Sequence, residues 1–329
     1  MTRRSHIPLH EAFATARAAG GHAPSVLGSR PWIIGGGDRI TLGADPDKRL
    51  DVADPLAREL VLSCGAALYG IRVALRALGV RPEVRTLPDP DRPALLAEIT
   101  SAGEADPGST DRRLYAAIER RRTHRGLFER ALSDGAVLRG LGDAAALEGA
   151  ALRQVTDPDR VRSLSGLVTA AEHLHRVERP GTEEQDRWVR AQGDPRAEGV
   201  HAEDFPAPGA GAPVFPERDY GRGRVTGLRE ARGTEVGTVA LLTTASDDRA
   251  AHLAAGQALH RVLLTAADAG YAAAFHTQPL EEPLLRAFIT ERFCAGEHPQ
   301  MLLRLGRPAP EDRVDQGPDD LPGGVSGIA

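Results

Sequence analysis

The sequence of 329 residues contains little lysine, few aromatic residues and little cysteine. Lys48 is the only lysine, so 40 of the 41 basic residues are arginines. The planar guanidinium group suits carboxylate and phosphate partners, but a GC-rich genome would produce the same excess without any binding role. Two tryptophans, four tyrosines and seven phenylalanines leave most of the core packing to alanine, leucine and valine.

Several classes of protein are excluded by what is missing. The two cysteines, Cys64 and Cys294, cannot form a disulfide framework or a four-thiolate zinc site, and their apolar helical surroundings predict buried thiols. A net charge of −5 without a basic tail argues against a nucleic-acid partner. No run reaches the roughly 18 apolar residues of a membrane span, and the N-terminus lacks the apolar stretch of a secretory signal. We therefore expect a cytoplasmic protein with no nucleic-acid, membrane or metal partner.

Hydrophobic periodicity predicts a mixture of helices and strands. A glycine-rich turn at 35–37 joins two predicted strands in a hairpin over 31–42, so it does not open a dinucleotide-binding helix. The strongest helix signal begins at Asp54-Pro55 and ends at Gly79. The other predicted elements are strands at 84–87, 236–243, 271–276 and 301–305, and helices at 93–101, from Asp111 onward, and at 157–177, 247–269 and 280–293. This irregular order favours an α+β fold over a doubly wound sheet.

A segment rich in glycine and proline, at 193–224, interrupts the second half of the chain. Structureless segments of this length are usually lids over functional sites or disordered linkers. Phe205, Phe215 and Tyr220 supply apolar anchors that a linker would not need. The composition therefore favours a lid.

An arginine cluster with the sequence RRRTHR occupies 120–125, at the end of a predicted helix. Several guanidinium groups and a hydroxyl so close together form a good receptor for a phosphate group. The same cations would also complement the negative end of the helix dipole while facing solvent. Both interpretations stay open on the cluster alone.

The segment RRTHRGLF at 121–128 resembles the phosphate-binding motif of the FMN-dependent nitroreductase family. The similarity is greatest to the actinobacterial, dormancy-associated branch of that family, in which two nitroreductase-like halves are fused in one chain. Further blocks agree in order and spacing: APS at 23–25 with PW at 31–32, DPLARELVLSCGAAL at 54–68, AGQALHRVLLTAADAG at 255–270, QPLEEPLLR at 278–286, and PQMLLRLG at 299–306.

The resemblance implies an α+β, nitroreductase-like fold with antiparallel-rich central sheets flanked by helices. Its two pseudo-symmetric halves would span 1–110 and 111–306, with the lid at 193–224 in the second half and a flexible tail at 307–329. A single FMN would lie between the halves. The chain would be a monomer with a pseudo-dimeric fold, or a homodimer.

The resemblance also implies which residues contact FMN. The arginine cluster would hold the phosphate, the loop at 24–30 would approach the ring and ribityl chain, and backbone amides near 278–281 would lie beside flavin N5. The implied cofactor-binding residues are Pro24, Ser25, Gly28, Arg30, Arg121, Arg122, Thr123, Arg125, Gln278, Pro279, Leu280 and Glu281. No catalytic side chain is implied.

The block APSVLGSRPW departs from the family pattern at three positions. Leu27, Gly28 and Arg30 stand where the family has histidine, asparagine and glutamine. The lost amides would have bonded to the polar edge of the flavin, and neither Leu27 nor Gly28 replaces them. Arg30 is expected to supply a donor or to stabilise negative charge near flavin N1 and C2.

The implied activity is that of an FMN-dependent oxidoreductase. Hydride from NADPH or NADH would pass through flavin to an electron-poor small molecule, because the cofactor supplies the redox chemistry and the protein supplies orientation. Two alternatives stay open. The chain could store or sequester FMN without turnover, or it could have lost flavin and bind another phosphate-bearing ligand or a protein.

Overall fold

A computed structural model describes residues 7–177, 179–205, 215–220 and 233–309. Expectations for residues 206–214, 221–224 and 310–329 lie outside these ranges. The helices of the described residues are α1 (Leu9–Gly21), α2 (Arg58–Ala77), α3 (Ser109–Arg120), α4 (Gly135–Ala146), α5 (Pro158–Val177), α6 (Arg179–Asp186), α7 (Arg249–Asp268), α8 (Gln278–Glu281) and α9 (Pro283–Phe293). Their strands are β1 (Trp32–Gly35), β2 (Ile40–Ala44), β3 (Val80–Thr86), β4 (Leu95–Glu104), β5 (Arg130–Ala131), β6 (Ala151–Val155), β7 (Val189–Arg190), β8 (Val200–His201), β9 (Thr238–Thr244), β10 (Ala272–Phe275) and β11 (His298–Arg307).

The main strands form two antiparallel sheets. The first has the order β1-β2-β4-β3, and the second has the order β10-β11-β9-β6, with β5 paired to β11. A short parallel pair, β7 and β8, lies apart from both sheets. Helices and antiparallel sheets in this irregular sequence confirm the predicted α+β class.

The two sheets have the same connectivity. In the first, two strands are followed by the long helix α2 and by two more strands, the last of which pairs with the second. In the second sheet β6, β9, α7, β10 and β11 follow the same scheme. The short turn between β1 and β2 corresponds to a long insertion between β6 and β9, which contains α5, α6 and the segment at 193–224. This repetition is compatible with two fused halves, and the boundary at 110 and 111 stays a prediction.

The long helices α2 and α7 pack against each other at the centre of the fold. Glycines permit their close approach: a Cβ on Gly256 would overlap the carbonyl oxygen of Leu62, and one on Gly65 would overlap that of Leu253. Among the described helices, α2 alone has the length and composition to cross a membrane, and 83% of its most apolar window is buried in the fold. In this structure α2 is therefore a core helix.

Both cysteines are free and buried, as predicted. The Cys64 thiol donates to the carbonyl oxygen of Pro31 at 3.2 Å. Burial raises the pKa of Cys64 to about 12 and that of Cys294 to about 11. Both thiols therefore stay protonated near neutral pH, which makes them poor nucleophiles.

The predicted helix at 93–101 is wrong, because this segment forms β4. Its leucines and Ile99 are buried, and β4 pairs with β2 on one side and β3 on the other. Short apolar runs fit either a buried strand or a helix, and sheet pairing decides between them. Helices α1 and α4 and strand β6 were not predicted.

Two predicted helices have different limits. Helix α2 begins at Arg58 rather than beside Pro55, although the Asp54 carboxylate still accepts from the Leu60 amide at 2.8 Å. The helix predicted over 280–293 is interrupted at Glu282, which is extended. Pro283 explains the interruption, because proline disfavours the helical conformation of the residue before it.

Candidate functional site

A cleft of about 780 Å³, part of it open to solvent, lies between the loop after α1 and the segment after α3. Helix α2 forms one wall through Glu59, Leu62 and Ser63. The cleft therefore collects residues from both repeats. Of the residues expected to bind cofactor, those that line it are Pro24, Ser25, Gly28, Thr123 and Arg125.

The loop that carries Pro24 and Ser25 is held by hydroxyl groups. Ser25 Oγ accepts from the Arg30 amide at 3.0 Å, and Ser63 Oγ on α2 accepts from the Val26 amide at 3.2 Å. Leu27 and Arg30 both have left-handed backbone angles, with φ of 47° and 48°. Non-glycine residues rarely adopt this conformation, which is often found at functional sites.

The arginine cluster lies just beyond α3 and is extended rather than helical. Arg121 has φ −65° and ψ 123°, and Thr123 forms a parallel bridge to Ala273 on β10. The His124 amide donates to the Ala273 carbonyl at 2.9 Å. Helix α3 thus ends at Arg120, within the cluster, and attachment to β10 draws the following residues into an extended conformation.

Arg121 carries unused hydrogen-bond donors. Within the described ranges its Nε and Nη1 atoms are shielded from solvent and have no hydrogen-bond partner. Burial, together with the charges of Arg122 and Arg125, lowers the pKa of Arg121 to about 10. Buried donors without partners are costly, so this guanidinium is suited to an anion that the described residues do not provide.

The neighbouring arginines differ from one another. Arg122 is exposed and donates to the carbonyl oxygens of Glu119 at 2.5 Å and Arg121 at 2.9 Å, as a solvated helix end would. The guanidinium of Arg125 lies 5.6 Å from the centre of the Tyr220 ring, and its buried Nε has no partner among the described residues. Arg122 therefore matches the solvated helix end, and the phosphate-receptor interpretation stays a prediction for Arg121 and Arg125.

Arg30 lies on the same side of the molecule as the cluster. Burial lowers the pKa of His22, and the charges of Arg30, Arg122 and Arg121 lower it further, against the opposite effect of Glu119. Cations from two separate segments therefore converge near the end of α1. Their combined field favours an anionic ligand.

The segment expected beside flavin N5 lies behind the cleft. Gln278, Pro279 and Leu280 are buried, and their neighbour Thr277 lines the cleft. Glu281 lines an adjacent cavity instead. The structure thus brings this segment next to the cleft without exposing its side chains there.

Comparisons with known proteins agree with the sequence resemblance. No protein-family model matches the chain. A Mycobacterium tuberculosis protein with the provisional name NAD(P)H nitroreductase Rv3131 is 35% identical over 307 residues, which are 92% of this chain and 87% of the relative. A second protein of that organism, with the provisional name NAD(P)H nitroreductase acg, is 30% identical over 88% of this chain and 86% of its own length.

The chain belongs to the nitroreductase family. Among solved structures, an FMN-bound nitroreductase of Bacteroides fragilis aligns with a TM-score of 0.38 at 13% identity, over 66% of this chain and 98% of that one. At that TM-score the alignment supports no conclusion about the site.

Two carboxyl groups on the wall of this nitroreductase-family cleft were not predicted. Burial raises the pKa of Glu59 to about 8; Glu281 and Asp54 add to the shift, and Arg58 and Arg218 oppose it. Burial also raises the pKa of Glu217, against the nearby Arg304 guanidinium with which it is paired. No local pattern in the sequence indicated that either carboxyl group would line the cleft with a raised pKa.

The described residues of the segment at 193–224 cover part of this cleft. The Gly199 amide donates to the Gly28 carbonyl at 2.9 Å, and Lys48 Nζ lies 2.6 Å from Glu198 Oε1. Val200, Glu217, Arg218 and Tyr220 line the cleft from this side. The predicted anchors Phe205 and Phe215 are 2% and 1% exposed.

Proposed function

We propose that the cleft binds FMN and that the chain is an FMN-dependent oxidoreductase, which transfers hydride from NADPH or NADH to an electron-poor small molecule. The observation that carries the proposal is Arg121, a half-buried cation whose Nε and Nη1 have no partner among the described residues. Thr123 and Arg125, which follow it closely in the chain, line a cleft of suitable size. Such a group fits the phosphate of FMN, because guanidinium–phosphate hydrogen bonds are among the strongest in proteins.

The residues at the cleft divide between the parts of the cofactor. Arg121, Arg125 and Thr123 would bind the phosphate, with Arg122 adding positive charge at the surface. Pro24, Ser25 and Gly28 would lie against the ribityl chain and ring. Bound FMN would supply two-electron redox chemistry at its N5 edge, and the position of 278–281 would bring backbone amides near that edge. Arg30 would stabilise negative charge at the opposite edge.

The protein would contribute a proton and an enclosed environment. Glu59 lines the cleft and accepts from Arg58 at 2.6 Å. Burial raises its pKa, which would favour the protonated form more than in an exposed carboxyl group. A carboxyl group in this state can donate a hydrogen bond or a proton to a substrate at the same wall. The segment at 193–224 would act as a lid that restricts the entry of water and substrate.

The same lid contacts favour one alternative. The hydrogen bond from the Gly199 amide to the Gly28 carbonyl and the ion pair of Lys48 and Glu198 close the cleft on one side. A cofactor held under such a cover would be stored rather than turned over if the cover does not open. The chain would in either case be a monomer of two fused halves or a homodimer of such chains.

Equilibrium titration of the flavin-free chain with FMN tests the proposal. Flavin fluorescence should be quenched with a stoichiometry of one, and Arg125→Met should weaken binding at least tenfold through the loss of charge-assisted hydrogen bonds. An exposed control, Arg120→Met, should bind as tightly as the wild type. Equal binding by Arg125→Met, or no binding by the wild type, would contradict the proposal.

A further inference from the structure

A second cavity adjoins the cleft. It has a volume of about 890 Å³, including the part open to solvent. Its walls come from the segment before α2, from α5, from residues 184–185 and 218–219, and from residues 281–283. Leu27 and Arg218 line both spaces and separate them. None of the expected phosphate-binding arginines lines this cavity.

The lining of this second cavity is strongly acidic. Five carboxyl groups face two guanidinium groups, those of Arg176 and Arg218. The carboxyl groups are Glu172, Glu184, Asp219, Glu281 and Glu282. The field inside the cavity therefore favours a cation over a neutral molecule or an anion.

Internal hydrogen bonds engage two of these carboxylates. Glu184 accepts from the amides of Val52 and Ala53 at 3.0 and 2.9 Å. Glu172 accepts from the Asp219 amide at 2.9 Å and from Gln278 at 3.2 Å. These groups are fixed parts of the wall, and their charge remains uncompensated by the neutral donors.

Another carboxylate is held by a histidine. Glu282 lies 2.9 Å from His175 Nε2, so this contact fixes its position at the wall. Asp219 is paired with Arg176 Nη2, 3.5 Å from its Oδ2. Four of the five carboxylates thus have defined partners, and the fifth is Glu281.

Glu281 has an oxygen that no internal donor uses. Its Oε1 accepts from Thr277 at 2.6 Å and from Arg218, and its side chain is 1% exposed. Its Oε2 has no hydrogen-bond partner among the described residues; His175 Nδ1 is 3.7 Å away. Although burial opposes it, Arg218, His175 and Thr277 together lower the pKa of Glu281, so the group is ionised. A buried carboxylate oxygen without a donor is costly.

We propose that this cavity binds a small organic cation, with an ammonium or amidinium group donating to Glu281 Oε2. Its apolar body would lie against Leu27, Val52, Pro55 and Pro283, which line the same space. A metal ion is a poorer fit, because hard cations need six or more oxygen ligands and most carboxylate oxygens here already accept from protein donors. The site would lie beside the cofactor cleft and does not depend on FMN being bound.

Calorimetric titration with three isosteric probes tests the charge requirement. Benzamidine is expected to bind the full chain, benzamide to bind at least tenfold more weakly, and benzoate not to bind. Added FMN should leave the benzamidine affinity unchanged within a factor of two. Equal affinity for benzamide, or loss of benzamidine affinity in proportion to added FMN, would overturn the proposal, since the probe would then not need the carboxylates or would occupy the cleft.

Three variants locate the site. Glu281→Gln should weaken benzamidine binding at least tenfold, while Glu148→Gln should not change it. Glu148 is a matched control because it is 5% exposed, pairs with Arg72 and lies outside the cavity. Val52→Arg places a cation at an exposed position of the rim and should weaken binding without disturbing the core.

Wild-type affinity in both Glu281→Gln and Val52→Arg would overturn the proposal even if one of them were poorly folded. Failure of the FMN proposal is distinguishable from failure here. If the chain does not bind FMN but binds benzamidine through Glu281, only the FMN proposal is contradicted.

Discussion

Replacement of Arg121 by methionine separates stability from ligand binding. The pKa of this arginine falls from 12.5 to about 10 in the fold. Each pKa unit corresponds to about 1.4 kcal/mol, so the folded chain disfavours the charged group by about 3 kcal/mol. Methionine removes the charge while keeping much of the apolar stem.

The flavin-free Arg121→Met variant is therefore expected to be more stable than the wild type. A gain of about 1–3 kcal/mol would raise Tm by roughly 1–4 °C for a chain of this size. Its affinity for FMN should fall at least tenfold, because each charge-assisted hydrogen bond contributes about 1.5–3 kcal/mol. Thermal unfolding with and without FMN measures both effects in one experiment.

The matched control is Arg120→Met. Arg120 is next in the chain, is 55% exposed and lies 3.4 Å from Asp268 in an ion pair. Its replacement should change Tm by less than about 1 °C, because exposed ion pairs contribute little. If flavin-free Arg121→Met unfolds at a lower temperature than the wild type, or if FMN stabilises both equally, the reasoning about an unpaired anion receptor is refuted.

Three further outcomes follow from the structure. Gly256→Ala should abolish soluble expression or lower Tm by more than about 4 °C, the effect of about 3 kcal/mol, because its Cβ overlaps the Leu62 carbonyl oxygen. Gly140→Ala, which meets open space in α4, should not destabilise the chain. The pKa of Glu59 is raised from 4.5 to about 8 in the fold, so its contribution to the free energy of unfolding is complete below pH 4.5 and is lost as pH rises through 8. Denaturant titrations should show this decline in the wild type and not in Glu59→Gln. Gly28 has φ +65°, and a Cβ there would overlap the Gly199 carbonyl oxygen of the covering segment. Gly28→Ala should therefore lower the free energy of unfolding by more than about 1 kcal/mol and speed limited proteolysis of that segment.

Local periodicity was sufficient where an element is long and buried on one face. Helix α7 was predicted at 247–269 and lies at Arg249–Asp268, and the strand predicted at 271–276 is β10. It failed for β4, whose short apolar run has no period that separates strand from helix. Pairing with β2 and β3, which involves residues distant in sequence, makes this segment a strand.

The candidate site was predictable where a motif is continuous in the chain. Pro24 and Ser25 of the APS block and Thr123 and Arg125 of the RRTHR cluster line one cleft. Each motif is continuous in the sequence, so its residues could be identified from adjacent letters. Arg218 and Glu59 could not be found in this way. The partner of Arg218, Glu281, is 63 residues away. Two of the four charges that act on Glu59, those of Glu281 and Arg218, likewise come from distant segments. Such groups acquire their role only from tertiary contacts, which leave no local pattern.

The repeated connectivity of the two sheets gives the site its position. Helices α2 and α7 meet at the centre of the fold, and Glu59 on α2 and Leu259 on α7 both line the cleft. The long insertion between β6 and β9 has no counterpart in the first sheet, so it can cover the cleft from one side only. The single FMN site stays a prediction from the family resemblance.

Anaerobic titration of the FMN-loaded chain with NADPH and with NADH distinguishes turnover from storage. We expect that one of these donors bleaches the visible flavin absorbance, and that a quinone or nitroaromatic acceptor restores it over repeated cycles. Bound flavin that neither donor bleaches would contradict the oxidoreductase proposal and favour storage of FMN. A chain that stays colourless after incubation with FMN would contradict flavin binding itself.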